Sequence, residues 1–282
     1  MASTKSLADL PFDIFDAIFN FVHQDDIDTR KRTLFAASQV SKEWADISMR
    51  TRFHTLSLVV KLEGETSIVN FFLQDFVQEP IFEELKKRQC VKKLALRWSR
   101  EGSKSEIDFK TILPHYLPLF PGLLSLELRG VLYKRPTMRQ MQRFNLQSLT
   151  IDGHLYHYHS QRYHDQRALC DLLCLFPSLK ELKLTDMYTW AHDYFTEPDT
   201  GIRWDDALPH IQSVIFDQST PAPALVQLFK TAGVKYLNVS GIRFSRHKGG
   251  HLLVANACAA TLQHLNYELF CARGTCTCAG SY

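Results

Sequence analysis

One spacing recurs along this chain and limits what it can fold into: apolar, two residues, apolar, one residue, apolar. It runs through Val91-Leu94-Leu96, Leu123-Leu126-Leu128, Leu146-Leu149-Ile151, Leu179-Leu182-Leu184, Ile211-Val214-Phe216, Val234-Leu237-Val239 and Leu262-Leu265-Tyr267, with Phe53-Leu56-Leu58 upstream. Successive copies start 38, 32, 23, 33, 32, 23 and 28 residues apart. One match means little in a chain that is 45% hydrophobic, but eight in series are not chance. The last two apolar positions alternate as a short half-buried strand does, and the first turns inward as the chain enters that strand.

Between the copies lie segments of helical periodicity, such as Ile68-Val69-Phe72-Leu73-Phe76, Leu169-Leu172-Leu173-Phe176 and Leu225-Val226-Phe229. A strand and a helix at this period cannot bury their apolar faces alone, whereas stacked copies can. An ordinary α/β sheet with helices on both faces would need strands apolar on both sides. Here the odd positions are polar, for example Lys93 and Arg97, Ser125 and Glu127, Glu181 and Lys183. One face of the sheet is therefore expected to meet water.

The segment resembles an irregular leucine-rich repeat array of the kind carried by many F-box proteins. Leu119-Phe120-Pro121-Gly122-Leu123 and Leu175-Phe176-Pro177-Ser178-Leu179 match the way those repeats leave a helix and enter a strand. Proline ends each helix because it lacks an N–H and disfavours helical geometry just before it. The asparagine usual after the strand in that family is mostly missing, and the repeat length wanders.

Residues 7–48 differ in character. Leu10-Pro11 opens a helix carrying Ile14, Phe15, Ile18, Phe19 and Val22 at helical spacing. A polar interval from His23 to Thr33 follows, then a second amphipathic helix with Leu34, Phe35, Ala37, Ser38, Val40 and Trp44. Leu10-Pro11-Phe12-Asp13-Ile14, Ile18-Phe19 and Val40-Ser41-Lys42-Glu43-Trp44 together resemble an F-box, so the whole chain resembles the fungal-type F-box/leucine-rich-repeat family. That resemblance implies a substrate-recognition subunit of a Skp–cullin–F-box ubiquitin ligase, acting in protein ubiquitination without catalysis of its own. The Skp adaptor would dock on Leu10, Pro11, Ile14, Phe15, Ile18 and Phe19, an apolar edge too large for forty residues to bury alone. Val22, Leu34, Val40 and Trp44 are expected to pack on the first repeat.

The expected fold class is α/β, with a helical F-box-like module (7–48), an irregular leucine-rich-repeat solenoid (53–270) and a disordered tail (271–282). A protein substrate is expected on the polar face and its aromatic loop edge, at Arg97, Glu127, Arg129, Asp152, Lys183, Asp217, Tyr236, Trp190 and Trp204. Trp98, Tyr156 and Tyr194 are read as further loop aromatics, and the stretch from Trp190 through Trp204 reads equally as a satellite core under its own long loop. The alternative is a repeat scaffold without a ligase role, its N-terminal helices capping the solenoid.

A net charge of +3, with both signs alternating along the chain, points to neither nucleic acid nor membrane. No long uncharged apolar run suggests a membrane span. Seven cysteines without a framework fit a reduced cytoplasmic or nuclear protein. His154, His157, His159 and His164 read as a solvated loop, and Cys271, Cys276 and Cys278 match no zinc spacing. No phosphate loop, nucleophile elbow or metalloprotease motif is present, so no catalytic residue, cofactor or metal is expected.

Overall fold

The computed structural model describes residues 27–61, 82–83, 86, 89–99, 117–129, 143–153, 169, 172–187, 208–219, 223–230, 232–243, 250–270 and 277–281. The fold is mixed α/β. Strands β1 (Thr55–Lys61), β2 (Lys93–Ser99), β3 (Ser125–Arg129), β4 (Ser148–Asp152), β5 (Glu181–Thr185), β6 (Ser213–Asp217), β7 (Tyr236–Arg243) and β8 (His264–Phe270) form one open parallel sheet. They lie side by side in strict chain order, without the reversal that marks a doubly wound sheet.

Every copy of the recurring spacing becomes a strand, and the paired strands keep its register. Leu94, Leu126, Leu149, Leu182, Val214, Leu237 and Leu265 are successive partners, as are Leu96, Leu128, Ile151, Leu184, Phe216, Val239 and Tyr267. All but Leu265 and Tyr267 are buried in one continuous core, with those two packed against it. The leading apolar residue of each copy, from Val91 to Val234, is buried as well.

A single joint repeats at the strand entries. The carbonyl of the residue just before each strand accepts two N–H groups from the next strand's entry. His54, Lys92, Leu124, Gln147, Lys180, Gln212 and Lys235 each do this, at 2.8–3.1 Å. These oxygens use both lone pairs, so irregular backbone at the entry is satisfied without water. Strand exits are equally repetitive. Gly153, Asp186 and Gln218 each donate their N–H to a carbonyl of the next strand, at Thr185, Asp217 and Ser240. Asp186 and Gln218, just past β5 and β6, have φ of 51° and 50°, and Gly241, inside β7 where its register shifts, has φ of 71°.

The proline phrases close tight turns into the strands. Leu123 and Leu179 donate their N–H groups to Phe120 and Phe176 at 2.9 and 3.0 Å. Leu208-Pro209-His210-Ile211 is a third such phrase, with Ile211 reaching the Leu208 carbonyl at 3.4 Å. Phe120 meets Phe82 edge-on (5.6 Å), and Phe216 of β6 meets Phe229 in the same way (6.5 Å). Phe229 lies on helix α3 (Pro223–Lys230), numbered after the two helices below, which buries Leu225, Leu228 and Phe229 at helical spacing. Helix α4 (Gly250–Cys258) packs beside α3 and buries Val254 and Cys258.

Among the described residues, two helices precede the sheet: α1 (Ile27–Ser38) and α2 (Lys42–Phe53). Several expectations change here. Half of the polar interval, Asp28 to Thr33, is helical. The expected second helix breaks at Gln39–Ser41, where Ser41 caps α2 by accepting the Trp44 N–H at 3.3 Å. The Ser41 hydroxyl also donates to Glu43 at 2.8 Å. A backbone hydrogen bond, aided by this hydroxyl, holds the Glu43 carboxyl below its usual range. Helix α2 continues past residue 48 to Phe53, so the first residue of the upstream copy is helical. Val40 is 56% exposed rather than packed. Leu34, Ala37 and Ile47 form their own small cluster with Trp44, separate from the main core among the described residues.

The end of the chain also differs from expectation. Residues Thr277–Ser281, in the expected disordered tail, form β9, antiparallel to β8. No helix among the described residues is long and apolar enough to cross a membrane.

Candidate functional site

Alternation gives the sheet a second face, built from the odd strand positions. Parallel register lines these residues up in rows. Lys93, Ser125, Ser148, Glu181, Ser213, Tyr236 and His264 form the first row. Ala95, Glu127, Thr150, Lys183, Ile215, Asn238 and Asn266 form the second. Arg97, Arg129, Asp152, Thr185, Asp217 and Ser240 form the third. Most of these residues are half-buried or exposed; Ala95 and Glu127 are buried.

Two groups stand apart on this face. The first is charged and spans β2 to β4. Glu127 is 8% exposed, yet its carboxylate is held by Lys93 at 3.6 Å and by a short contact from Arg129 Nε. Arg129 also approaches Asp152, at 3.9 Å. Burying a carboxylate is costly unless charged donors meet it, and here two half-exposed cations do. The second group is aromatic. Tyr236 and His264 stack with centroids 4.8 Å apart and rings 3° from parallel, and Tyr236 is 47% exposed. Four inter-strand spacings, about 19 Å, separate the strands of Glu127 and Tyr236. Between the two groups, Asp217 accepts a hydrogen bond from Ser240 at 3.4 Å.

Of the expected substrate-binding residues, Glu127, Arg129 and Asp152 thus share one cluster. Lys183, Asp217 and Tyr236 follow on β5, β6 and β7. Arg97 sits in β2 in register with Arg129. Trp98 belongs to β2, paired with Val60, and not to a loop. Trp190, Trp204, Tyr156, Tyr194 and the histidines from His154 to His164 lie outside the described residues. So do Leu10, Pro11, Ile14, Phe15, Ile18 and Phe19, and with them Cys271 and Cys276.

Three features escaped sequence reasoning. The Tyr236–His264 pairing comes from register, and its signal was the shared offset of both residues within their copies. Lys93 as a partner of Glu127 could have been found in the same way. Ser219 had no such signal. It is 2% exposed; its hydroxyl accepts the Met187 N–H at 2.9 Å and donates toward the carbonyls of Leu184 (2.9 Å) and Asp217 (3.0 Å).

Among the described residues, no group of three or more His, Cys, Asp or Glu could hold a metal ion. Cys90, Cys174 and Cys258 are buried thiols. Burial pushes the Cys258 thiol up to about 11. The face thus carries mixed charge at one end and a stacked Tyr–His pair at the other. Comparison with protein-family models and with curated proteins finds no match to this chain.

Proposed function

We propose that this chain is a substrate-recognition adaptor of a Skp–cullin–F-box ubiquitin ligase, built from an F-box-like module and an irregular leucine-rich-repeat solenoid. The observation that carries the solenoid is the entry joint, made seven times over by strands in strict chain order. Stacked repeats produce that pattern. The open face then receives a protein substrate, and the adaptor brings it near the ubiquitin-charged enzyme, contributing proximity and no chemistry of its own.

The ligase half rests on the Leu10–Trp44 resemblance. Among the described residues the α1–α2 cluster is separate from the main core, which supports a docking module over a cap, because a cap would share the core of the array it closes. A pull-down with the Skp adaptor tests this. Wild type should be retained, and replacing Leu10, Pro11 and Ile14 together by alanine should abolish retention while the thermal melt stays unchanged. Failure of wild type to bind sinks the ligase role.

A further inference from the structure

The repeated joint places one residue per strand along the edge where the strands begin. This row contains Lys92, Lys180 and Lys235, with Gln147, Gln212 and Gln263 between and beyond them. It contains no carboxylate from His54 to Gln263. Lys180 and Lys235 are exposed, and Lys92 is half-buried. Among the described residues, no carboxylate pairs with any of the three. The opposite edge is different: Asp152, Asp186 and Asp217 sit at successive strand exits. Charge therefore leans across the sheet, with Lys92, Lys180 and Lys235 just before strand entries and Asp152, Asp186 and Asp217 at exits, while Glu181 at an entry and Lys61, Arg97, Arg129 and Arg243 toward exits run against this trend.

We propose that the entry edge docks an extended acidic segment of a protein partner, running across the strands. This deepens the protein-binding reading of the sheet and rests on it. Eight strands at about 4.8 Å spacing give a line of about 34 Å, the reach of roughly ten extended residues. Three ammonium groups spread along it match carboxylates placed every few residues. The intervening glutamines carry both a donor and an acceptor, as a peptide main chain requires. A nucleic-acid strand is the poorer fit, since its phosphates fall about every 3.4 Å along a strand and three lysines leave most of them unmet.

The test is fluorescence anisotropy with the full chain and a labelled ten-residue peptide alternating Glu and Gly. Binding should weaken steeply with added salt. The Lys92→Gln/Lys180→Gln/Lys235→Gln variant should lose about tenfold in affinity. Asp217→Asn should not weaken binding, and a matched Lys–Gly peptide should not bind. Lys180 and Lys235 are exposed and Lys92 half-buried, so an unchanged thermal melt is required to separate lost binding from lost folding. Unchanged affinity in the triple variant overturns the proposal, as does tighter binding of a single-stranded oligonucleotide of equal charge. The triple variant should still be retained by the Skp adaptor. Failure of the wild-type chain to be retained by the Skp adaptor, with its peptide binding intact, would remove the ligase role alone.

Discussion

Ser219 shows how much one hydroxyl can hold. It ties the exits of β5 and β6 together from a fully buried position. Ser219→Ala leaves the Met187 N–H and Leu184 carbonyl without it, and should cost about 1–3 kcal/mol in urea denaturation. Gly153 is constrained differently: a Cβ there would stand 2.8 Å from the Asp186 carbonyl oxygen and 3.1 Å from the Met187 sulfur. Backbone must shift to admit it, so Gly153→Ala should destabilise by about 1–3 kcal/mol. Cys258 gives a pH signature. Its folded value of about 11 lies above the ordinary value near 9, so the unfolded chain loses the proton first. Stability is unaffected by this group below pH 9 and falls as pH rises from 9 toward 11. Melts across that range should show a steeper decline in wild type than in Cys258→Ala, in which the raised Tyr267 phenol still contributes at the alkaline end.

At the scale of elements, local pattern and outcome agree wherever burial decides. The paired apolar positions became buried strand positions because a two-residue period with one wet face has few other solutions. Agreement fails where capping decides. The run from Leu34 to Trp44 looks continuous by its apolar residues, but Ser41 supplies an N-cap and the chain restarts there. Ser41→Ala should cost about 1 kcal/mol, and Ser41→Asp should restore it, both readable in the helical signal on denaturation. Val40 fails for the same reason, since it stands in the break rather than on a helical face. The charged cluster was legible only as separate polar positions. Which of them meet depends on register between copies 32 and 23 residues apart, and local periodicity is silent on that.

For the whole molecule, strand order followed directly from the repeat, but how the array ends did not. Residues 271–282 hold little apolar content, yet Thr277–Ser281 pair with the last parallel strand. A sheet edge left open invites pairing with another chain. Removing 271–282 should therefore promote self-association, visible as concentration-dependent light scattering, with little change in the melting of the remaining sheet.

The joints at the strand entries carry one more consequence. Each carbonyl grips only the strand beside it, so nothing in the described sheet bonds a strand to any but its immediate neighbours. Such an array behaves as a zipper, with cooperativity passed link by link. Amide exchange would then be graded, fastest at the outer strands and slowest near β4 and β5, and a defect at Gln147 or Lys180 would split it into two halves that open independently.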